Sequence, residues 1–121
     1  MLRNDFFKIN TIDVADNELF ANISLKADHA IYKGHFPENP VTPGVVQMQI
    51  VKEILEVHFE KKLTLNSMGR CKFLRVLSPA DASDVIIKLN IRETERELGI
   101  SAAGMENEIT FFKFNAVYQY Q

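Results

Sequence analysis

Cysteine is nearly missing from this chain. Cys71 is the only one in 121 residues, which excludes an intrachain disulfide and makes a reducing compartment the simpler setting. Long apolar runs are missing too: nowhere do about 18 to 20 apolar residues stand together, so no membrane-spanning helix is expected. The opening MLRNDFFKIN holds no apolar stretch long enough for the core of a secretory signal, and the expectation is a cytoplasmic protein. Positive charge is not in excess. Lys and Arg number 14 against 16 Asp and Glu, for a formal net charge of -2 and a pI near 5.9. A global basic field of the kind nucleic-acid binders use is therefore absent. No Cys/His cluster has metal-ligand spacing and no Gly-rich turn has the dinucleotide-binding form, so neither a metal nor a nicotinamide cofactor is expected.

Linkers and repeats are absent as well. The 121 residues read as one domain, 1–121, large enough for one core and small enough that pairing with another chain would help bury apolar surface. An apolar share of 46% and a charged share of 25% suit a soluble globular protein.

Proline is scarce but concentrated: Pro37, Pro40 and Pro43, three of the four, fall within seven residues. Proline fixes φ and biases its predecessor toward extended geometry, so this loop should hold a nearly unique shape. His35 sits in it. A stiff loop can hold an imidazole and a few backbone N–H groups in register for a substrate.

Periodicity gives the rest of the architecture. Residues 6 to 34 read as two extended segments, FFKINTIDVAD and ELFANISLKAD running into HAIYKG, with a turn near Asp16–Asn17. Thr42 is a plausible N-cap and Pro43 a plausible first residue for a helix reaching about Lys61. Its apolar set, Val45, Val46, Met48, Ile50, Val51, Ile54, Leu55, Val57 and Phe59, predicts burial around most of the circumference. Lys52, Glu53, Glu56 and Glu60 define a polar, solvated side. From Leu63 onward MGRCKFLRVL, DVIIKLNIRETERE and GISAAGMENEITFFKFNAVYQYQ read as strands, with turns at SPADAS, Glu97–Gly99 and Gly104–Glu108. One long helix among five or six strands predicts an α+β fold, an antiparallel sheet wrapped around a central helix.

Of the three histidines, His58 falls late in the helix among charges and reads as a surface residue. His29 lies in a strand-like run. His35 alone sits in a frame suited to acid–base chemistry near neutral pH. Cys71, in an alternating stretch, reads as a small buried strand residue rather than a nucleophile.

The segment GHFPENPVTPGVVQMQ, Gly34 to Gln49, resembles the hot-dog-fold beta-hydroxyacyl-(acyl carrier protein) dehydratases, whose motif is roughly GHFPxxPxxPGV followed by an acidic residue on the helix. Gly34, His35, Phe36, Pro37, Pro40, Pro43, Gly44 and Val45 fill the fixed positions. The acidic residue would stand five residues after Gly44, where this chain has Gln49. A weaker likeness continues through KFLRVLSPAD.

The resemblance implies a hot dog that removes water from 3-hydroxyacyl thioesters to give trans-2-enoyl thioesters. No cofactor is implied beyond the phosphopantetheine of an acyl carrier protein that bears the substrate. His35 would be the base for the C2 proton, and the Gly44 N–H at the helix start would stabilise the enolate oxygen. The family's acid comes from the partner subunit's helix. Gln49 can hold a hydroxyl or water by hydrogen bonds but cannot deliver a proton at neutral pH. Phe36, Pro43, Val45, Val46 and Met48 would bind the acyl chain, although core packing accounts for the last three equally well. Lys61, Lys62, Arg70, Lys72 and Arg75 are candidates for contacting the phosphopantetheine or the acidic carrier, with Arg70 and Lys72 on one strand face; solvated edge charges are the equal alternative. The assembly expected is a homodimer or higher oligomer of dimers. The replacement of the acid leaves other readings: a heterodimer with a related acid-bearing hot-dog subunit, a chain that only binds acyl groups or carrier, or, more weakly, a hot-dog thioesterase.

Overall fold

The computed structural model describes residues 1–33, 41–79 and 84–121. Strand β1 (Phe7–Ala15) and strand β2 (Glu18–Leu25) form a hairpin closed at Asp16–Asn17. Asp16 there takes φ 55°, a left-handed conformation that Asp and Asn tolerate better than most residues. In β2 the alternation sends Leu19, Ala21, Ile23 and Leu25 into the core.

The run expected to continue extended through HAIYKG instead forms a one-turn helix, α1 (Ala30–Lys33). Its entry is fixed by His29, whose Nδ1 accepts the Ile31 N–H at 3.0 Å while Nε2 faces Asp5 at 3.1 Å. A side-chain bond to the local backbone outweighs a weak strand preference here.

Helix α2 (Gly44–Phe59) is followed by β3 (Leu63–Phe73), β4 (Asp84–Glu93), β5 (Glu97–Glu106) and β6 (Ile109–Tyr120). The six strands form one antiparallel sheet in the order β1-β2-β4-β5-β6-β3. The helix-side residues of β4, β5 and β6, including Val85, Ile87, Leu89, Ile100, Phe112 and Phe114, meet Ile50, Val51, Ile54 and Leu55 of α2 in one core. This is the expected α+β hot-dog arrangement. Among the described residues no helix is long and apolar enough to cross a membrane.

Several boundaries differ from those read in the sequence. Pro43, not Thr42, is the N-cap of α2, with no side-chain cap hydrogen bond, because the Thr42 hydroxyl is engaged at 2.8 Å with the Tyr32 hydroxyl. The helix ends at Phe59, where Glu60 turns left-handed at φ 54°. Burial takes in most of the helix, as expected, with Val45, 73% exposed, and His58 the exposed residues. The supposedly solvated glutamates are structural. Glu53 is fully buried, and Glu56 accepts the Leu63 N–H at 2.9 Å, fastening the start of β3. The turn after β4 lies at residues 94–96, so Glu97 and Gly99 already belong to β5. Gly104 also lies within β5, where the Phe112 ring comes within 2.1 Å of any added Cβ. The turn expected at SPADAS falls partly on residues 80–83, outside the described residues.

Strand β3 forms one edge of the sheet. Cys71, expected to be buried, is exposed. Its register partner on β6 is the buried Phe114, so the alternation places it on the helix side, but α2 does not reach across to cover the edge. Leu65 and Phe73, paired with Tyr118 and Phe112, share that side and are 42% and 49% exposed.

Candidate active site

His35 and Phe36, with Gly34, Pro37 and Pro40, lie outside the described residues. What is described is the frame on which that loop arrives, the start of α2. Thr42 N–H donates to the Leu77 carbonyl at 2.8 Å, tying the entry of the helix to the chain after β3. Pro43 has no N–H, and its carbonyl accepts from Val46 and Gln47, both at 3.1 Å. Helix geometry leaves the Gly44 and Val45 N–H groups without an intrahelical acceptor, at the positive end of the dipole. Gly44 permits a close approach: an added Cβ would lie 2.6 Å from the tip of the Phe73 ring, which would have to swing aside. Phe73 thus closes down on the helix start only because the side chain there is absent. Burial raises the Tyr32 phenol above its ordinary pKa, with the Thr42 hydrogen bond partly offsetting the rise, so this link stays uncharged.

Two glutamines follow on α2. Gln47 is 4% exposed; its Nε2 donates to the Thr42 carbonyl at 2.9 Å, while its Oε1 is buried without a partner among the described residues. Gln49 is half-buried and donates through Nε2 to Glu53 Oε2 at 2.8 Å. The Glu53 carboxylate also accepts the Leu2 N–H, at 2.9 Å to each oxygen, and the Arg3 N–H at 2.8 Å. A carboxylate only accepts, so the Gln49 nitrogen must face Glu53 and its Oε1 is left as the group it presents elsewhere. Chemically, position 49 offers an oriented acceptor and no transferable proton.

The other sequence candidates are distributed around this centre. Val45 is exposed, and Pro43, Val46 and Met48 are half-buried. Arg75 lies beside Gly44 and Gln47 in a groove at the helix start. Arg70 and Lys72 do share a face, and with Lys88 and Lys113 they border a trough of about 510 Å³ on the outer side of the sheet. Lys61 and Lys62 stand apart, in a groove with Met1, Arg3 and Glu60, the Lys61 ammonium lying 4.4 Å over the Tyr120 ring. The five cations therefore occupy three separate places. His58 is exposed at the end of α2, its ring edge-on to Phe59 at 4.8 Å. Sequence reasoning passed over Gln47, Phe73 and the role of Glu53. The one signal available was the polar residue Gln47 within an otherwise apolar helical run.

Comparison with known proteins adds the following. The family model described as ApeI dehydratase (ApeI-like) matches residues 11–111. A 3-hydroxyacyl-[acyl-carrier-protein] dehydratase FabZ from Alkaliphilus metalliredigens is 29% identical over 87 residues, 66% of this chain and 56% of that protein. The chain spans about half the length of the curated relatives it matches. Among solved structures, the dehydratase heterocomplex ApeI:P from Xenorhabdus doucetiae superposes with a TM-score of 0.73 at 20% identity, covering 93% of this chain and 96% of that one. A hypothetical thioesterase with coenzyme A from Streptococcus pneumoniae gives a TM-score of 0.65 at 8% identity, covering 98% and 91%. At such identities the structural likeness speaks for the hot-dog fold alone.

Proposed function

This chain belongs to the ApeI-like dehydratase family, and we propose that it removes water from 3-hydroxyacyl thioesters carried on the phosphopantetheine of an acyl carrier protein. The observation that carries this reading is the family match over residues 11–111, which takes in both the His35 loop and the start of α2. In the reaction, His35 takes a proton from C2, and the charge that develops on the thioester oxygen is met by the Gly44 N–H at the positive end of α2. The bond from C3 to its hydroxyl then breaks, and the proton held by His35 leaves with the hydroxyl as water. Gln49 orients the departing hydroxyl through the Oε1 that Glu53 leaves outward-facing. One imidazole thus serves as base and acid.

A second reading is supported by the helix-side face of the β3 edge. Leu65, Phe73, Leu74, Val76 and the nearby helix residue Val45 are all 40% exposed or more, an apolar set that a second hot-dog chain would cover. Such a partner could bring the carboxyl group that Gln49 replaces. We take that partner to be a related but different chain, since a second copy would bring Gln49 again and no acid. On this reading the chain alone is nearly inert.

The test is hydration of a short trans-2-enoyl carrier thioester by the purified chain, run beside His35→Ala and Gln49→Glu. Turnover lost in His35→Ala is expected, and an unchanged rate there would sink the assignment of the base. Gln49→Glu restores an acidic residue at the position the motif reserves for one, and a rise of roughly 10-fold or more is expected from a positioned general acid. Inertness relieved only by adding an acid-bearing homologue would select the partner-subunit reading.

A further inference from the structure

A groove of about 430 Å³ runs between the start of α2 and the chain that follows β3. On its lining is Gln47, whose amide is locked. The Thr42 carbonyl only accepts, so it holds the Gln47 nitrogen at 2.9 Å and forces Oε1 to the other side, where it is buried with no hydrogen-bond partner among the described residues. Buried polar side-chain atoms are nearly always partnered, and each exception asks for an explanation. Packing supplies none, since Leu or Met would fill the same space on a helix without an orphaned acceptor. Among the described residues no donor reaches this oxygen, and we look for it in a ligand.

The groove limits what that donor is. Val41, Phe73, Leu74 and Leu77 give it largely apolar walls, which disfavour a charged group at the floor. Beside them stand the free N–H groups of the helix start and Arg75, which has no ion-pair partner among the described residues. A slim ligand with methylene segments, neutral N–H donors and an anionic end fits all of these features.

We propose that Gln47 is a ligand-binding residue whose Oε1 accepts a hydrogen bond from an amide N–H of the pantetheine arm, with Arg75 toward the arm's phosphate. This rests on the thioester reading above and deepens it. The carbonyl oxygen, unpartnered among the described residues, gains its partner only when the arm is seated. Recognition is therefore of the carrier's arm and independent of acyl length.

Two probes of nearly equal shape test this: the S-(2-acetamidoethyl) thioester of crotonic acid and the S-(2-acetoxyethyl) thioester, in which oxygen replaces the N–H. Neither has a hydroxyl, so the amide is the only donor. Affinities are read by titration of the purified chain, and hydration of both probes is followed in the same samples. The wild-type chain should bind the amide roughly 5- to 10-fold tighter, the worth of one neutral hydrogen bond to an otherwise unsatisfied group. In Gln47→Leu the preference should collapse to less than about twofold. Equal wild-type affinities, a preference that persists in Gln47→Leu, or no binding of either probe would each overturn the proposal. The wild-type comparison needs no variant, and Gln47→Met serves if Gln47→Leu does not fold. An amide preference without turnover would leave Gln47 in place and remove the reading of this chain as a dehydratase by itself; turnover without a preference would do the reverse.

Discussion

From Ile50 to Phe59, helix α2 turns Ile50, Val51, Ile54 and Leu55 into the core, and its buried Glu53 carboxylate accepts from Leu2, Arg3 and Gln49. From Gly44 to Gln49 the same helix exposes Val45, leaves Gln47 Oε1 unpartnered among the described residues, and begins without a side-chain cap. The C-terminal half obeys the rules of folding, while the N-terminal half breaks several of them within six residues. Exceptions of this kind concentrate where a ligand completes the structure. The proposed site falls in the open half, which follows the segment carrying His35 in sequence and lies by the apolar edge of β3.

The sharpest way to break the contrast is to truncate one apolar side chain in each half. Leu55 is fully buried, and Leu55→Ala should cost about 2 to 5 kcal/mol in urea unfolding, the lost transfer energy plus that of the cavity. Val45→Ala should stay within about 0.5 kcal/mol. An effect of Val45→Ala that grows with chain concentration would mean that the exposed half is covered by a second chain, and would move Val45 from the open surface into an interface. An effect as large as that of Leu55→Ala in dilute solution would erase the difference between the halves.

Glu53 is the joint between them. Its carboxylate gathers the Leu2 and Arg3 N–H groups and the Gln49 amide, so Glu53→Ala strands two backbone donors and frees Gln49 to rotate. A loss of about 2 to 3 kcal/mol is expected, together with a fall in hydration rate at temperatures where the protein is still folded. A stability loss with no change in rate would confine Glu53 to anchoring the first residues of the chain, and would detach Gln49 from the site.

Most of the fold was legible because it depends on local period. The β-branched and aromatic residues of ELFANISL and FKFNAVYQ marked β2 and β6 as strands, and the apolar set from Val45 to Phe59 marked α2 as a helix packed into the core. HAIYKG was misread for want of a local bond, His29 to the Ile31 N–H, but other misreadings trace to structure distant in sequence. Thr42 fits an N-cap until Tyr32, ten residues away, takes its hydroxyl. Glu53 sits on a polar stripe until the chain's second and third residues, about fifty positions earlier, deliver N–H groups to it. Cys71 falls on the helix side of β3, but whether a helix covers that side is a property of the whole sheet. The candidate site was legible as a motif from Gly34 to Val45 and as a substitution at Gln49. The orientation of Gln49 and the unmet oxygen of Gln47 depend on atoms that no spacing rule reaches.

The smallest expected effect is a pH dependence that reports on the closed half of α2. Burial, reinforced by the nearby Glu56 carboxylate, pushes the Tyr118 phenol up to about 12, well above the value near 10 of an unfolded chain. The fold therefore favours the protonated phenol. Its contribution is complete below pH 10 and is lost as pH rises from 10 toward 12, a share of about 2 kcal/mol. Urea unfolding at pH 8, 10 and 11.5 should show this loss in the wild-type chain and a shallower one in Tyr118→Phe. Tyr120, whose phenol is also pushed up to about 12 by burial and by its bond to Glu93, keeps part of the alkaline loss in both proteins, as does Tyr32 near the helix start. An identical alkaline slope in Tyr118→Phe would mean that Tyr118 is not sealed against Glu56. The C-terminal half of α2 would then be as open as the half that receives the ligand, and the contrast on which the site assignment leans would be gone.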